Sequence, residues 1–244
     1  MRRYPSPDTW RGASKRQRNR AQRSFKQLKK RKVPVYDGPL VVDDDKDATL
    51  QDAQEVARRT LVLWAVELRA EGTPQEEAIE LIDTLDLGDS VSPEEKRFLE
   101  DPKPRAHECQ ALVWRLESIW VLLWALGYLE ELDWPSDMCN VPKLVNILEV
   151  CESSAEFITE AELRDKAEIL DAQDLIVRIH WAIREAYLSR DQEIPANLDW
   201  SKDAEMLPVS MCHGVGVVEQ RHHTLNWLVN FPEPAGWDDV ETPT

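Results

Sequence analysis

The chain has 244 residues, of which 42% are hydrophobic, with ten Trp and only eight Gly; that is material for one domain with a sizeable core. Its net charge of −16 is uneven: residues 1 to 32 hold thirteen Lys or Arg against the single Asp8, so +12 sits at the start and −28 on the rest. No apolar stretch follows the basic start as a secretory signal would, and the most apolar run, Ser118 to Leu129, falls well short of the roughly 20 residues that cross a bilayer, so the expectation is a soluble, cytoplasmic protein with no membrane partner.

Four cysteines (Cys109, Cys139, Cys151 and Cys212) are widely spaced with no CxxC pair, and read as reduced, mostly buried thiols. Regular apolar/polar alternation is absent, which argues against a sheet-rich fold. The expected architecture is all-α, a single-domain multi-helix bundle around two central buried helices.

Residues 1–13 contain two Pro and a Gly without periodicity and predict a flexible basic tail; residues 14–244 form the helical domain. The segment 14–32 is a strongly basic helix with Phe25 and Leu28 as its apolar anchors, exposing Arg16, Arg20, Arg23 and Lys30. Clustered cations suit phosphate contacts, but no aromatic residues are interleaved for base stacking. A helix that complements the acidic body is therefore favoured over a nucleic-acid arm. A Pro- and Asp-rich connector, 33–47, follows.

Gln51 to Glu71 has helical periodicity and ends at Gly72. Thr73-Pro74-Gln75-Glu76 and Ser92-Pro93-Glu94-Glu95 each place a cap, an N1 proline and an N3 acid in order, starting helices that run to about Leu87 and Glu100. Apolar residues cover every side of the wheel in 108–130, predicting a helix buried all round, with Arg115 and Glu117 inside it. Burying either charge unpaired costs several kcal/mol, roughly, so each needs a partner. A short helix over Pro142–Cys151 precedes the longest one, 160–188, with Thr159 as N-cap and Glu162 completing a capping box. Two apolar stripes flank a polar row on that helix, including Asp171, Asp174 and Arg178. Arg190 to Met211 reads as an irregular crossing, and Gly214 and Gly216 bracket the entry to a last helix, 217–231, closed by Pro232.

Several stretches taken together resemble the bacterial domain of unknown function 4272 family: EVARRTLVL (55–63), SPEEKRFLEDP (92–102), WRLESIWVLLWALGYLEEL (114–132), LRDKAEILDAQDLIVRIHWAIREA (163–186), VVEQRHHTLNWL (217–228) and WDDVETPT (237–244). The resemblance covers roughly 20 to 244 and implies a helical fold that includes the basic helix. Pro243 departs from the family pattern, which usually has an acidic residue there. No activity transfers with the resemblance.

Three polar clusters are expected to converge: Asp171, Asp174 and Arg178; Glu219, His222 and Asn226; and Trp237, Asp238 and Asp239, with Arg115 and Glu117 joining them. One reading is structural, a salt-bridge network in which Asp174 pairs with Arg178 at i, i+4 and Asp171 receives Arg115. A second is a groove for a ligand or partner. The third is a divalent metal site on Asp171, Asp174, Glu219 and His222, since carboxylate oxygens suit Mg²⁺ or Mn²⁺ and Glu219-x-x-His222 shares one helical face. Such an ion would activate water for hydrolysis. The leading functional expectation is a non-catalytic binding or interaction module, of immunity type among others, with a basic protein partner and no cofactor; the alternative is a metal-dependent hydrolase.

Overall fold

The computed structural model describes residues 4–36, 38–39, 42–152 and 156–244. The helices are α1 (Lys15–Lys30), α2 (Ala53–Ala70), α3 (Gln75–Thr84), α4 (Pro93–Glu100), α5 (Ala106–Leu112), α6 (Arg115–Ala125), α7 (Val141–Cys151), α8 (Glu156–Thr159), α9 (Lys166–Leu188) and α10 (His213–Leu228). Packing runs in a series, α3 on α2, α2 on α6, α6 on α10, α10 on α9 and α9 on α1. The protein is a predominantly helical single domain, as expected. Among the described residues no helix is long and apolar enough to cross a membrane, and the four thiols are free.

Local chemistry sets several helix starts. The Asp52 carboxylate accepts from the amides of Gln54 and Glu55 at the head of α2, and Gly72, at φ 108°, ends it. There the amide of Thr73 reaches back to the carbonyl of Leu68 at 3.0 Å, closing the helix. Ser92 and Glu95 form the expected reciprocal box at α4. Thr73 provides no side-chain cap for α3, whose N-cap is Pro74.

Elsewhere tertiary contacts override the local pattern. The box expected at Thr159 and Glu162 does not start α9; Thr159 ends α8, and the Asp165 side chain caps α9 by accepting from the amide of Ala167. The physical reason is Arg164, which is held at the C-terminal end of α6. Its amide donates to the carbonyl of Ala125 at 2.9 Å, and its guanidinium donates to the carbonyls of Trp124 at 2.6 Å and Leu129 at 2.8 Å. Donating to three carbonyls at and just beyond the end of α6 outweighs one more turn of its own.

The helix expected over 108–130 is two helices. At Val113–Trp114 the ladder changes to i−3 bonds, with Leu116 donating to Val113 and Glu117 to Trp114. This lets α5, which has no buried residue, part from α6, buried from Leu116 to Ala125. The last helix starts at His213, earlier than expected, with Gly214 and Gly216 inside its first turn. Both are required by close approach. A Cβ on Gly216 would lie 2.9 Å from the Trp114 ring, and one on Gly214 would lie 2.9 Å from the Leu198 side chain and 3.0 Å from the Pro135 carbonyl.

The crossing from 190 to 211 contains a short antiparallel hairpin, β1 (Glu193–Pro195) and β2 (Met206–Pro208), with Ile194 opposite Leu207; three-residue strands are too short to show alternation. Within the expected flexible tail Tyr4, Pro7 and Trp10 pack on the domain, while residues 1–3 lie outside the described residues. Trp10 and Tyr4 set ring edges against Phe25, both at 6.0 Å. The Tyr4 hydroxyl donates to the carbonyls of Leu28 at 3.1 Å and Val33 at 2.8 Å, satisfying the end of α1. Positions 37, 40 and 41 of the expected connector also lie outside the described residues.

Gly216→Val drives a branched side chain into the Trp114 ring and should lower stability by about 1–3 kcal/mol in urea denaturation. Glu67 is buried in α2, and burial, with the nearby Glu71 charge, raises its carboxyl to about 7. Between the unfolded value and about 7 the folded state holds more protons, so this group lowers stability as pH rises through that window. Glu67→Gln should therefore raise the melting temperature at pH 8 and leave it nearly unchanged at pH 4.

Candidate functional site

The polar residues singled out in the sequence are distributed over several places rather than one. The Asp171–Asp174–Arg178 row of α9 faces α1. Asp174, 2% exposed, accepts from Ser24 Oγ at 2.5 Å and from Nε and Nη2 of Arg178 at 2.8 Å each. That guanidinium also sits 4.8 Å from the Phe25 ring and 5.6 Å from Trp10. Asp171 does not receive Arg115. Arg23 grips both its oxygens at 2.6 Å, and Arg20 donates to it at 3.2 Å while also meeting Asp45 at 3.0 Å. Arg20, expected on the surface, is 1% exposed. The basic helix thus complements the acidic body with two of the cations that a phosphate site would need.

Glu117, fully buried, is paired by α10. Its Oε2 accepts from Arg221 Nε at 2.9 Å, and its Oε1 accepts from the amide of Cys139. Arg221 continues to the Asp133 carbonyl at 2.7 Å and carboxylate at 3.1 Å. This network joins α6, α10 and the loop after α6.

His222 and Asn226 face α9 through residues outside the expected row. Gln173 Nε2 donates to Asn226 Oδ1 at 2.9 Å, and Asn226 Nδ2 donates to the Glu241 carbonyl at 2.8 Å and to His222 Nε2 at 3.1 Å. With Nε2 accepting, the His222 proton is assigned to Nδ1, which lies 2.7 Å from His180 Nδ1. Burial, chiefly, lowers both imidazoles, His180 to about 4 and His222 to about 3. Both are neutral at pH 7, as one shared proton between two nitrogens requires.

Trp237 and Asp238 lie at a different junction, where the C-terminal segment meets α4. Asp238 accepts from Ser92 Oγ at 2.7 Å and from the amide of Glu94 at 2.9 Å. Trp237 stacks edge-on with His223 at 4.7 Å and Trp227 at 5.2 Å. The guanidinium carbons of Arg59 and Arg115 lie 5.1 and 5.6 Å from its ring. Arg59 pairs with buried Glu95 at 2.6 Å. Five of the six stretches that carry the family resemblance each send a residue here: Arg59, Glu95, Arg115, His223 and Trp237. Asp239 is exposed.

Glu219 stands apart from His222. It lines a cleft of about 470 Å³ between the C-terminal half of α9, the 3-10 turn Val209–Met211 and the start of α10, together with His180, Ile183, Tyr187 and Leu188. Desolvation raises its carboxyl above the ordinary range.

The expected convergence of Asp171, Asp174, Glu219 and His222 is therefore not formed, because α1 takes the two aspartates and the imidazole turns to His180. Among the described residues no group of three or more His, Cys, Asp or Glu is placed to hold a metal ion. Sequence reasoning missed the roles of Arg59, His180 and Arg221; it placed Arg20 on a helix that complements the acidic body, but at the surface, and read Glu95 only as a helix-capping acid.

Asp174→Asn removes the carboxylate that neutralises Arg178 and is expected to cost about 3–5 kcal/mol in chemical denaturation. Arg97→Ala, at the exposed Arg97–Glu108 pair, should change stability by less than about 1 kcal/mol under the same conditions.

No curated protein and no solved structure matches the chain. The family model described as "Domain of unknown function (DUF4272)" matches residues 20–240, from the first turns of the basic helix to the segment around Trp237. The chain belongs to the DUF4272 family.

Proposed function

We propose that the protein is a non-catalytic interaction module that receives a basic, amphipathic protein segment in the cleft at the C-terminal end of α9. The observation that carries this reading is the apolar exposure around that cleft. Tyr187 is 56% exposed and Leu188 72%, with Met211 at 65% on the adjoining 3-10 turn. Large apolar side chains grouped at one end, beside a cleft with Ile183, Val209 and Val215 in its walls, present anchoring pockets for a partner's apolar residues.

Arg184 lines the cleft as well, so the preference for a basic partner rests on Glu219 and on the charge of the whole chain. Glu219 has no ion pair among the described residues, and its desolvated carboxyl gains from an incoming Lys or Arg. The net charge of −16 steers a cation-rich segment toward the surface and makes association salt-dependent. Free thiols support a reducing, cytoplasmic setting.

A labelled helical peptide of Leu and Lys in amphipathic order, followed by fluorescence anisotropy, tests this. Binding should weaken with salt and fall at least about tenfold in the double variant Tyr187→Asp, Leu188→Asp, both at exposed positions. Equal binding of a Leu/Glu counterpart, or unchanged binding by the variant, would remove this cleft as the docking surface.

A further inference from the structure

The backbone carbonyl of Glu241 fixes, through Asn226 and His222, which nitrogen of His180 carries a proton. A carbonyl oxygen only accepts, so the Asn226 atom 2.8 Å from it is the amide nitrogen Nδ2. That nitrogen has a second proton for His222 Nε2, 3.1 Å away, which therefore accepts. Asn226 Oδ1 is left to accept from Gln173 Nε2 at 2.9 Å. An imidazole with Nε2 bare holds its proton on Nδ1, and His222 Nδ1 lies 2.7 Å from His180 Nδ1. Only one proton fits between two nitrogens at that distance. His180 Nδ1 therefore accepts, and the His180 proton sits on Nε2. Gln173, His222 and Asn226 are fully buried, which keeps water from loosening the relay.

His180 is half-buried and lines the α9 cleft of about 470 Å³. Its Nε2–H has no partner among the described residues and is not sealed from water. The relay thus ends in a donor of fixed identity at the cleft wall. One turn on, Arg184 lines the same cleft. Among the described residues its hydrogen bond is a long one, 3.4 Å to Thr244 Oγ1, and it has no ion pair. Tyr187 and Leu188 follow at i+7 and i+8 from His180, so one face of α9 presents donor, cation and apolar anchor at successive turns. Across the cleft, Val215 and Glu219 stand one turn apart on α10.

We propose that the group docking here is the C-terminal end of a partner helix whose last turn carries Lys or Arg. This deepens the reading of the cleft as a docking surface and rests on it. The last carbonyls of a helix have no partner within it and carry its negative pole. They accept from His180 Nε2–H and from the Arg184 guanidinium. A helix N-terminus offers only amide donors and would leave both unmatched. A helix laid lengthwise keeps its carbonyls in its own ladder and gives His180 nothing to donate to. A Lys or Arg of the last turn reaches Glu219, and an apolar residue of that turn lies against Ile183, Tyr187 and Val215. Being uncharged, the imidazole donor also loses little hydration when it is covered.

Two amidated peptides of the same Leu and Lys content, both held helical by a side-chain lactam at mid-length, test the polarity against the full chain by fluorescence anisotropy. One gathers its Lys in the last turn and the other in the first. The former should bind at least about tenfold more tightly. Independently of any peptide, long-range proton–nitrogen NMR at pH 7 should find His180 protonated at Nε2 and bare at Nδ1, and the former peptide should shift the Nε2 resonance. Arg184→Glu, at an exposed position without an ion pair, should melt near the unmodified chain and cut the preference to less than about twofold. His180→Phe keeps a ring without the donor and should do the same; if it fails to fold, Arg184→Glu and the NMR assignment decide. Equal binding of the two peptides, still lost in Tyr187→Asp, Leu188→Asp, would overturn the helix-end assignment and leave the docking surface standing, whereas binding of neither would remove both. A proton on His180 Nδ1, a preference undiminished in Arg184→Glu, or binding confined to free-acid peptides, which marks a carboxylate site, would also overturn it.

Discussion

Three arginines, Arg20, Arg178 and Arg221, are as withdrawn from water as the leucines around them, and the arrangement of helices follows from what each has to touch. A guanidinium in the interior keeps its charge and must find carboxylates or carbonyls where it lies. Arg20 joins α1 to α9 and the connector through Asp171, Asp45 and the Asp43 carbonyl. Arg221 joins α10 to α6 through Glu117 and to the following loop through Asp133. Such pairs add little net stability over apolar residues of the same size, yet each is costly to break. A helix displaced by one turn would strand both charges, so they select one register out of several that apolar packing would tolerate.

What could be read from the sequence is what neighbours along the chain decide. Asp52 and the Ser92–Glu95 box cap their helices because donor and acceptor lie within three residues of each other. Asp174 and Arg178 pair because one helix presents both on the same face. The box at Thr159 has the same local chemistry as the one at Ser92 and fails, because Arg164 is claimed by carbonyls forty residues earlier. No property of residues 159–165 alone contains that contest. The helix over 108–130 breaks at Val113–Trp114, where i−3 bonds replace the helical ladder between an unburied stretch and a buried one.

The candidate site was legible in its residues and not in their partners. Arg115, Trp237 and Asp238 do lie at one junction, and Asp174 does pair with Arg178, but the two groups form separate networks. The element that separates them is α10, inserted between α6 and α9 with Arg221 and His222 turned to different neighbours. An amphipathic helix declares its inner face; a helix buried on both flanks with polar residues among its contacts declares none. Pairing charges by complementarity alone gave Asp171 to Arg115, whereas α1 supplied two cations of its own. Once those pairings are accounted for, four of the buried polar atoms without a partner among the described residues lie around Trp237, and Tyr187 and Leu188 leave apolar surface uncovered at the end of α9.

The segment 237–241 closes the bundle from outside. It sets an indole beneath two guanidinium groups, caps α4 with Asp238 and offers the Glu241 carbonyl to Asn226. A nascent polypeptide that has not yet released residues 237–241 from the ribosome therefore holds α2, α4, α6 and α10 without their shared keystone, and its assembly is completed only after synthesis has passed that point.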